Sequence, residues 1–158
     1  QMLSKARIGA LFAIERDQSL NPWVDRGTIL DAEVSSEIIN TVFYPGTALH
    51  DGAVVIQKGR IAAAGCLLPL SENEQLGSWA GTRHRAAVGL TEESDAVTIV
   101  VSEESGGVSI CVRGEVYRDL DRDELADRLR SYYTKTETPD PTGPVDSSAS
   151  GDRKGSES

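Results

Sequence analysis

The chain has 158 residues, 39% of them hydrophobic, and a formal net charge of −9. That is enough for one ordinary domain with a real core, and its acidity argues against non-specific binding to nucleic acid or an anionic membrane. No run approaches a transmembrane length, no signal peptide is visible, and Cys66 and Cys111, in apolar strand-like runs, read as buried reduced thiols in a cytosolic setting.

The first residues, Met2 to Ala6, read as a helix entered partway, as in a piece cut from something longer. Ile8 to Ile14 is a nearly continuous apolar run, suiting a strand covered on both faces. A polar loop around Asn21-Pro22 follows. Val34 to Phe43 has helical apolar spacing, with Ser35 or Ser36 as N-cap and Pro45-Gly46 as its stop. Ala53–Ile56 and Arg60–Leu68, joined at Lys58-Gly59, read as a β-hairpin. A helix starts near Gly81-Thr82 and runs through Leu90. Three strands follow, Ala96–Val101, Val108–Val112 and Val116–Leu120, turning at Gly106-Gly107 and Arg113-Gly114. A last helix spans Asp121 to about Tyr133, with Asp121 and Glu124 spaced as a capping box and Leu125 and Leu129 on one face. The pattern predicts an α/β (α+β) fold, a central mixed β-sheet flanked by helices on its faces. Residues 1–135 form one catalytic domain in this reading. Residues 136–158, rich in Pro, Ser and Gly, form a disordered acidic tail that holds −3 of the charge.

Three segments bear chemistry. Leu49-His50-Asp51-Gly52-Ala53 enters a strand directly after a helix stop. Asp-Gly there is an ordinary turn on one reading. On the other, Gly52 lets a ligand approach the backbone while Asp51 offers a carboxylate to a divalent cation or a sugar hydroxyl, with His50 as a second ligand. Thr82-Arg83-His84-Arg85 opens a helix, with Thr82 as its cap. Arg at a helix N-terminus is repelled by the dipole unless an anion compensates, so the run reads as a polyphosphate grip or, alternatively, as a solvated helix start paired with acids. Ser102-Glu103-Glu104-Ser105-Gly106-Gly107 is an ordinary hairpin turn by composition, and equally able to set a hydroxyl and a carboxylate beside the other two.

LHDGA, GTRHRAAVGL and IVVSEESGGVS, in this order and at these separations, resemble the diadenylate cyclase (DAC) domain, whose signatures are DGA and RHR. The resemblance spans roughly residues 5 to 130. It implies condensation of two ATP into cyclic di-AMP with release of two pyrophosphates. Asp51, Arg83, His84 and Arg85 would be catalytic. Leu49, Gly52, Ala53, Leu67, Thr82 and Ser102 would bind ATP. A divalent metal, Mg or Mn, would be held by Asp51, Glu104 and His50. Some family members carry Tyr where Leu67 stands, so base stacking on an aromatic ring is missing here.

The resemblance further implies a face-to-face homodimer, because one domain holds one ATP and two bonds are made. Among the family's architectures, the helical start and short tail match the membrane-anchored type. That places the domain at the cytoplasmic side of the membrane, touching it only through an upstream anchor, and without nucleic acid as partner. The rival expectations are a non-catalytic ATP or cyclic di-AMP sensor and a different ATP enzyme such as a hydrolase. Against the hydrolase stands the absence of any Walker-type run or kinase signature.

Overall fold

The computed structural model describes residues 1–133, so the tail expected from residue 136 lies outside the described residues. The element order is α1 (Met2–Ala6), β1 (Ala10–Ile14), α2 (Asn21–Val24), β2 (Thr28–Glu33), α3 (Ser36–Phe43), β3 (Ala53–Gln57), β4 (Arg60–Cys66), α4 (Thr82–Glu93), β5 (Val97–Val101), β6 (Val108–Val112), β7 (Glu115–Tyr117) and α5 (Arg122–Tyr133). The strands form one mixed sheet in the order β2-β4-β3-β1-β5-β6-β7. Among the described residues only β1 and β3 pair in parallel; the other five pairings are antiparallel.

The central strand β1 explains its own unbroken apolar run. Leu11 and Ala13 enter a core cluster with Leu20 and Val24 near α2 and with Ala86 to Leu90 of α4. Ala10 enters a second cluster with Leu3 of α1 and Val42 and Phe43 of α3, and Phe12 packs against it. Phe12 and Phe43 meet edge to face, 5.1 Å between ring centroids. A strand buried on both faces has no polar side to show.

α3 begins where Ser35 Oγ accepts the Ile38 N–H at 3.1 Å, and it stops at Tyr44, before Pro45. α4 is buried almost all round, from His84 and then Ala86 through Thr91. The sheet covers one side and the segment Pro69–Ser71 the other, with Ser71 N–H bonded to Arg85 O at 2.9 Å. A side chain at Gly89 would run into the Pro69 carbonyl. The Lys58-Gly59 turn has positive φ at both residues, 51° and 76°, as a two-residue hairpin loop demands.

Two elements lie where a polar loop was expected. α2 is a single turn, too short to leave a periodic signal. β2 is an edge strand whose pattern is broken at Asp31, φ 50°, where the register with β4 shifts. Arg60 anchors that irregularity with bonds to Asp31 Oδ1 at 2.8 Å and Asp31 O at 2.7 Å. The last expected strand is shorter, Glu115–Tyr117.

The chain divides into two units, Gln1–Arg122 and Asp123–Ser158. Within the second, the helix carries Asp123 and Glu124 in its first turn and Arg130 in its last, the order that a helix dipole favours. Both cysteines are buried and free, and burial pushes each thiol up to about 11. Among the described residues no helix is long and apolar enough to cross a membrane.

Candidate active site

Topology gathers the three sequence segments at one end of the sheet. β3 runs parallel to β1, so Gly52 precedes β3 beside Gly9, which precedes β1. β5 is antiparallel to β1 with Ala10 opposite Val101, which delivers Ser102 to the same end. Antiparallel β4 brings Cys66 opposite Ala53, and Leu67 follows it.

The loop between α3 and β3 presents Asp51. Thr47 Oγ1 donates to Val42 O at 2.7 Å, tying the loop to the end of α3. The His50 ring meets Thr47 O through Nδ1 at 2.8 Å. A carbonyl only accepts, so Nδ1 carries a proton, and in the neutral ring Nε2 is the nitrogen with the lone pair. That Nε2 stands 3.6 Å from Asp51 Oδ1, and the Asp51 side chain is 86% exposed. Gly52 has φ +96°, and a Cβ there would lie 2.7 Å from Gly65 C and 2.9 Å from Cys66 O. Its small size therefore admits the neighbouring strand. Gly65 (φ +67°) lies at a bulge in that strand, where β3 and β4 shift register.

α4 presents Arg83. Its N-cap is Gly81 and no side chain caps it. Thr82 is thus the first helical residue and not the cap that the sequence suggested. The Arg83 guanidinium lies over Gly9, where any side chain would displace it. Nη1 reaches Glu103 Oε1 at 3.1 Å and Nη2 stands 4.0 Å from Asp51 Oδ1. Nε is buried without a hydrogen-bond partner. His84 is buried, and its pKa falls below the ordinary value through desolvation first and then the Arg118 charge, with Glu104 opposing. It is a neutral imidazole at physiological pH.

The turn after β5 holds Ser102. Its Oγ accepts the Glu104 and Ser105 N–H groups at 3.2 and 3.3 Å, leaving its own hydrogen free to donate. α1 braces this turn. Ser4 Oγ donates to Gly106 O at 2.6 Å, and Arg7 reaches Glu104 O at 3.4 Å.

These residues line one cavity of ≈ 820 Å³, with His50, Asp51, Gly52, Leu67, Thr82, Arg83, His84, Ser102 and Glu104 all on its wall. Three of the expected site residues are elsewhere. Arg85 is not on the wall, and its Nη2 donates to Leu76 O at 3.4 Å. Ala53 is fully buried in the core, and Leu49 packs against the α3 side of the sheet. The expected metal trio does not close either. Among the described residues no group of three or more His, Cys, Asp or Glu could hold a metal ion.

Sequence reasoning missed Arg7, Glu103 and Trp79, all on the wall. Glu103 was legible as the acid beside Ser102. Arg7 sits at the C-cap of α1 in a left-handed conformation, φ 55°, a place normally filled by Gly, and carries no motif. Trp79 lies in an irregular segment with no periodicity to mark it.

Residues 1–116 match the family model described as DAC, DisA bacterial checkpoint controller nucleotide-binding. The chain is 47% identical over 133 residues to the cyclic di-AMP synthase CdaA of Bacillus subtilis, a match covering 84% of this chain and 49% of that protein. It is 46% identical over 125 residues to a diadenylate cyclase of Listeria monocytogenes, covering 79% of this chain and 46% of that one. It thus spans about half the length of these curated relatives. A crystal structure of a double mutant of DacA from Staphylococcus aureus superposes with TM-score 0.83 at 40% identity, covering 85% of this chain and 89% of that one. A Bacillus cereus structure described as a hypothetical membrane spanning protein gives TM-score 0.72 at 41% identity, over 75% of this chain and 58% of that chain.

Proposed function

This chain belongs to the DAC (diadenylate cyclase) domain family, and on that premise we propose that it condenses two ATP molecules into cyclic di-AMP, releasing two pyrophosphates. The observation that carries the reading is the Arg83 guanidinium. It is fixed between the Asp51 and Glu103 carboxylates at an uncapped helix N-terminus, on the wall of a nucleotide-sized cavity. Phosphoryl transfer asks a protein mainly for positioning and for charge placed against the phosphates.

The residues divide that work. The first-turn N–H groups of α4, the Arg83 guanidinium, the Ser102 hydroxyl and a neutral His84 N–H donate to phosphate oxygens. Thr82 adds a hydroxyl at the same helix start. Leu67, Leu68 and Leu70 give the cavity an apolar part suited to adenine. Arg85 braces the Leu76 segment instead of gripping phosphate. Asp51 lies beside the attacking ribose 3′-oxygen and takes up its proton.

The charged side chains on the wall are Arg7 and Arg83 against Asp51, Glu103 and Glu104, a net acidic set. Such a cavity repels a bare triphosphate and accepts one paired with a divalent cation. Mg or Mn typically keeps several waters and takes one or two protein ligands plus phosphates, so Asp51 and the free Nε2 of His50 suffice as its protein donors. When bound, the metal would acidify the 3′-hydroxyl and offset charge on the phosphates.

One cavity serves one ATP, so each 3′-oxygen attacks the α-phosphate of the ATP in a second copy facing it. The exposed Asp51 carboxylate suits that arrangement. The domain works on the cytoplasmic side of the membrane, tethered through a segment outside this chain; the Bacillus cereus neighbour, described as a hypothetical membrane spanning protein, supports the tether.

The test is product analysis by mass after incubation with ATP and manganese. Cyclic di-AMP is the expected product. ADP or AMP alone would identify a hydrolase, and bound but unchanged ATP at every protein concentration would identify a sensor.

A further inference from the structure

His84 stands at the cavity without the device that usually orients a working imidazole. Such a ring is normally held by a hydrogen bond from its second nitrogen to a carbonyl or carboxylate. His50 has that bond, to Thr47 O. His84 is buried, yet its ring makes no hydrogen bond among the described residues. Its close partner is Trp79: the two ring centroids lie 5.3 Å apart with planes at 81°. That is the edge-to-face arrangement that aromatic rings prefer.

Trp79 is itself fixed. The Arg118 guanidinium carbon lies 4.0 Å from the centroid of its ring, within cation–π range. A side chain at Gly77 would meet the indole at 2.8 Å, so Gly77 leaves room for the ring in its present place. Trp79 and His84 both line the cavity.

We propose that Trp79 is a positioning residue of the active site: held by Arg118, it fixes the His84 imidazole by ring packing and so aims it at the phosphate chain of the bound nucleotide. This packing orients the ring with no hydrogen bond from either nitrogen to the described residues. Both nitrogens therefore remain free for ligand, one of them as a donor. The role rests on the cyclase reading above.

The test compares Trp79→Leu, which keeps apolar bulk and removes the ring, with Trp79→Phe, which keeps a ring. The His84 Cε1–H resonance, assigned with His84→Gln, reports the ring contact directly. In Trp79→Leu it loses its ring-current displacement, kcat for cyclic di-AMP falls about tenfold, and KM for ATP stays within about twofold, as misorientation of a transition-state contact requires. Trp79→Phe recovers kcat to within about threefold. In a His84→Gln background, Trp79→Leu costs nothing further, because both changes act through one ring.

An unchanged kcat in Trp79→Leu, or an equal loss in the His84→Gln background, overturns the proposal. If the wild type forms no cyclic di-AMP, the cyclase reading fails by itself. Titration with α,β-methylene-ATP and magnesium then decides the positioning role. The His84 resonance must respond in the wild type and lose most of that response in Trp79→Leu; an equal response in both overturns it.

Discussion

At the scale of single residues, the site is a balance of charges around Arg83. Asp51 stands 4.0 Å from this guanidinium and Glu103 stands 3.1 Å from it, but only Asp51 has the free Nε2 of His50 beside it. Asp51→Asn removes the charge while keeping the shape. On the proposed reading it should retain ATP binding to within about tenfold and lower cyclic di-AMP formation by at least about 10³-fold, since the base and the metal contact assigned to Asp51 both go. Calorimetric binding beside product counting checks this, and an active Asp51→Asn variant refutes the role. His84 makes a second prediction. Its folded pKa lies below the ordinary 6.5, so between the two values the unfolded chain binds more protons than the folded one. Stability from this group is present above 6.5 and is lost as pH falls from there toward the folded pKa. Melting temperature should therefore drop with pH in that window, and His84→Gln should flatten the drop. An equally steep drop in His84→Gln would assign it to other groups. Asp51, Arg83 and Ser102 were legible as residue types in motifs. The orientation of Arg85 was not, because a helix written as Arg-His-Arg does not say which flank a neighbour will occupy.

At the scale of elements, glycines decide where strands can approach. Gly52 combines φ +96° with backbone on its side-chain face, at 2.7 Å in Gly65 and 2.9 Å in Cys66. Backbone cannot yield as a side-chain tip can. Gly52→Ala should destabilise the domain by about 3 kcal/mol, from overpacking and left-handed strain together. Gly46→Ala, at φ +93° with nothing within 4 Å, isolates the strain alone and should cost about 1 kcal/mol. Urea denaturation of both variants measures the difference; equal losses would contradict the packing account. The helices α3 and α4 and the β3–β4 hairpin were readable because cap, stop and turn residues agree with apolar spacing. α2 and β2 were not. One turn of helix has no period, and an edge strand with one polar face and a left-handed Asp31 resembles a loop in composition.

At the scale of the whole molecule, the mixed sheet was legible and its strand order was not. Nothing local in the sequence puts Gly9, Gly52, Cys66 and Ser102 at one end of four adjacent strands. Only the family resemblance linked the three motifs in advance, and the parallel β1–β3 pairing supplies the physical reason. The arrangement makes one cavity with an exposed carboxylate at Asp51, which on the proposed reading serves one nucleotide and half of the chemistry. On that reading the second half comes from another copy. The most direct measurement is therefore the specific activity for cyclic di-AMP, with product identity followed by mass, across a dilution series of the chain with saturating ATP and manganese. Specific activity should fall as the chain is diluted below its dimerisation range, with cyclic di-AMP as product throughout. A flat series, or a product that is not cyclic di-AMP, would contradict the account.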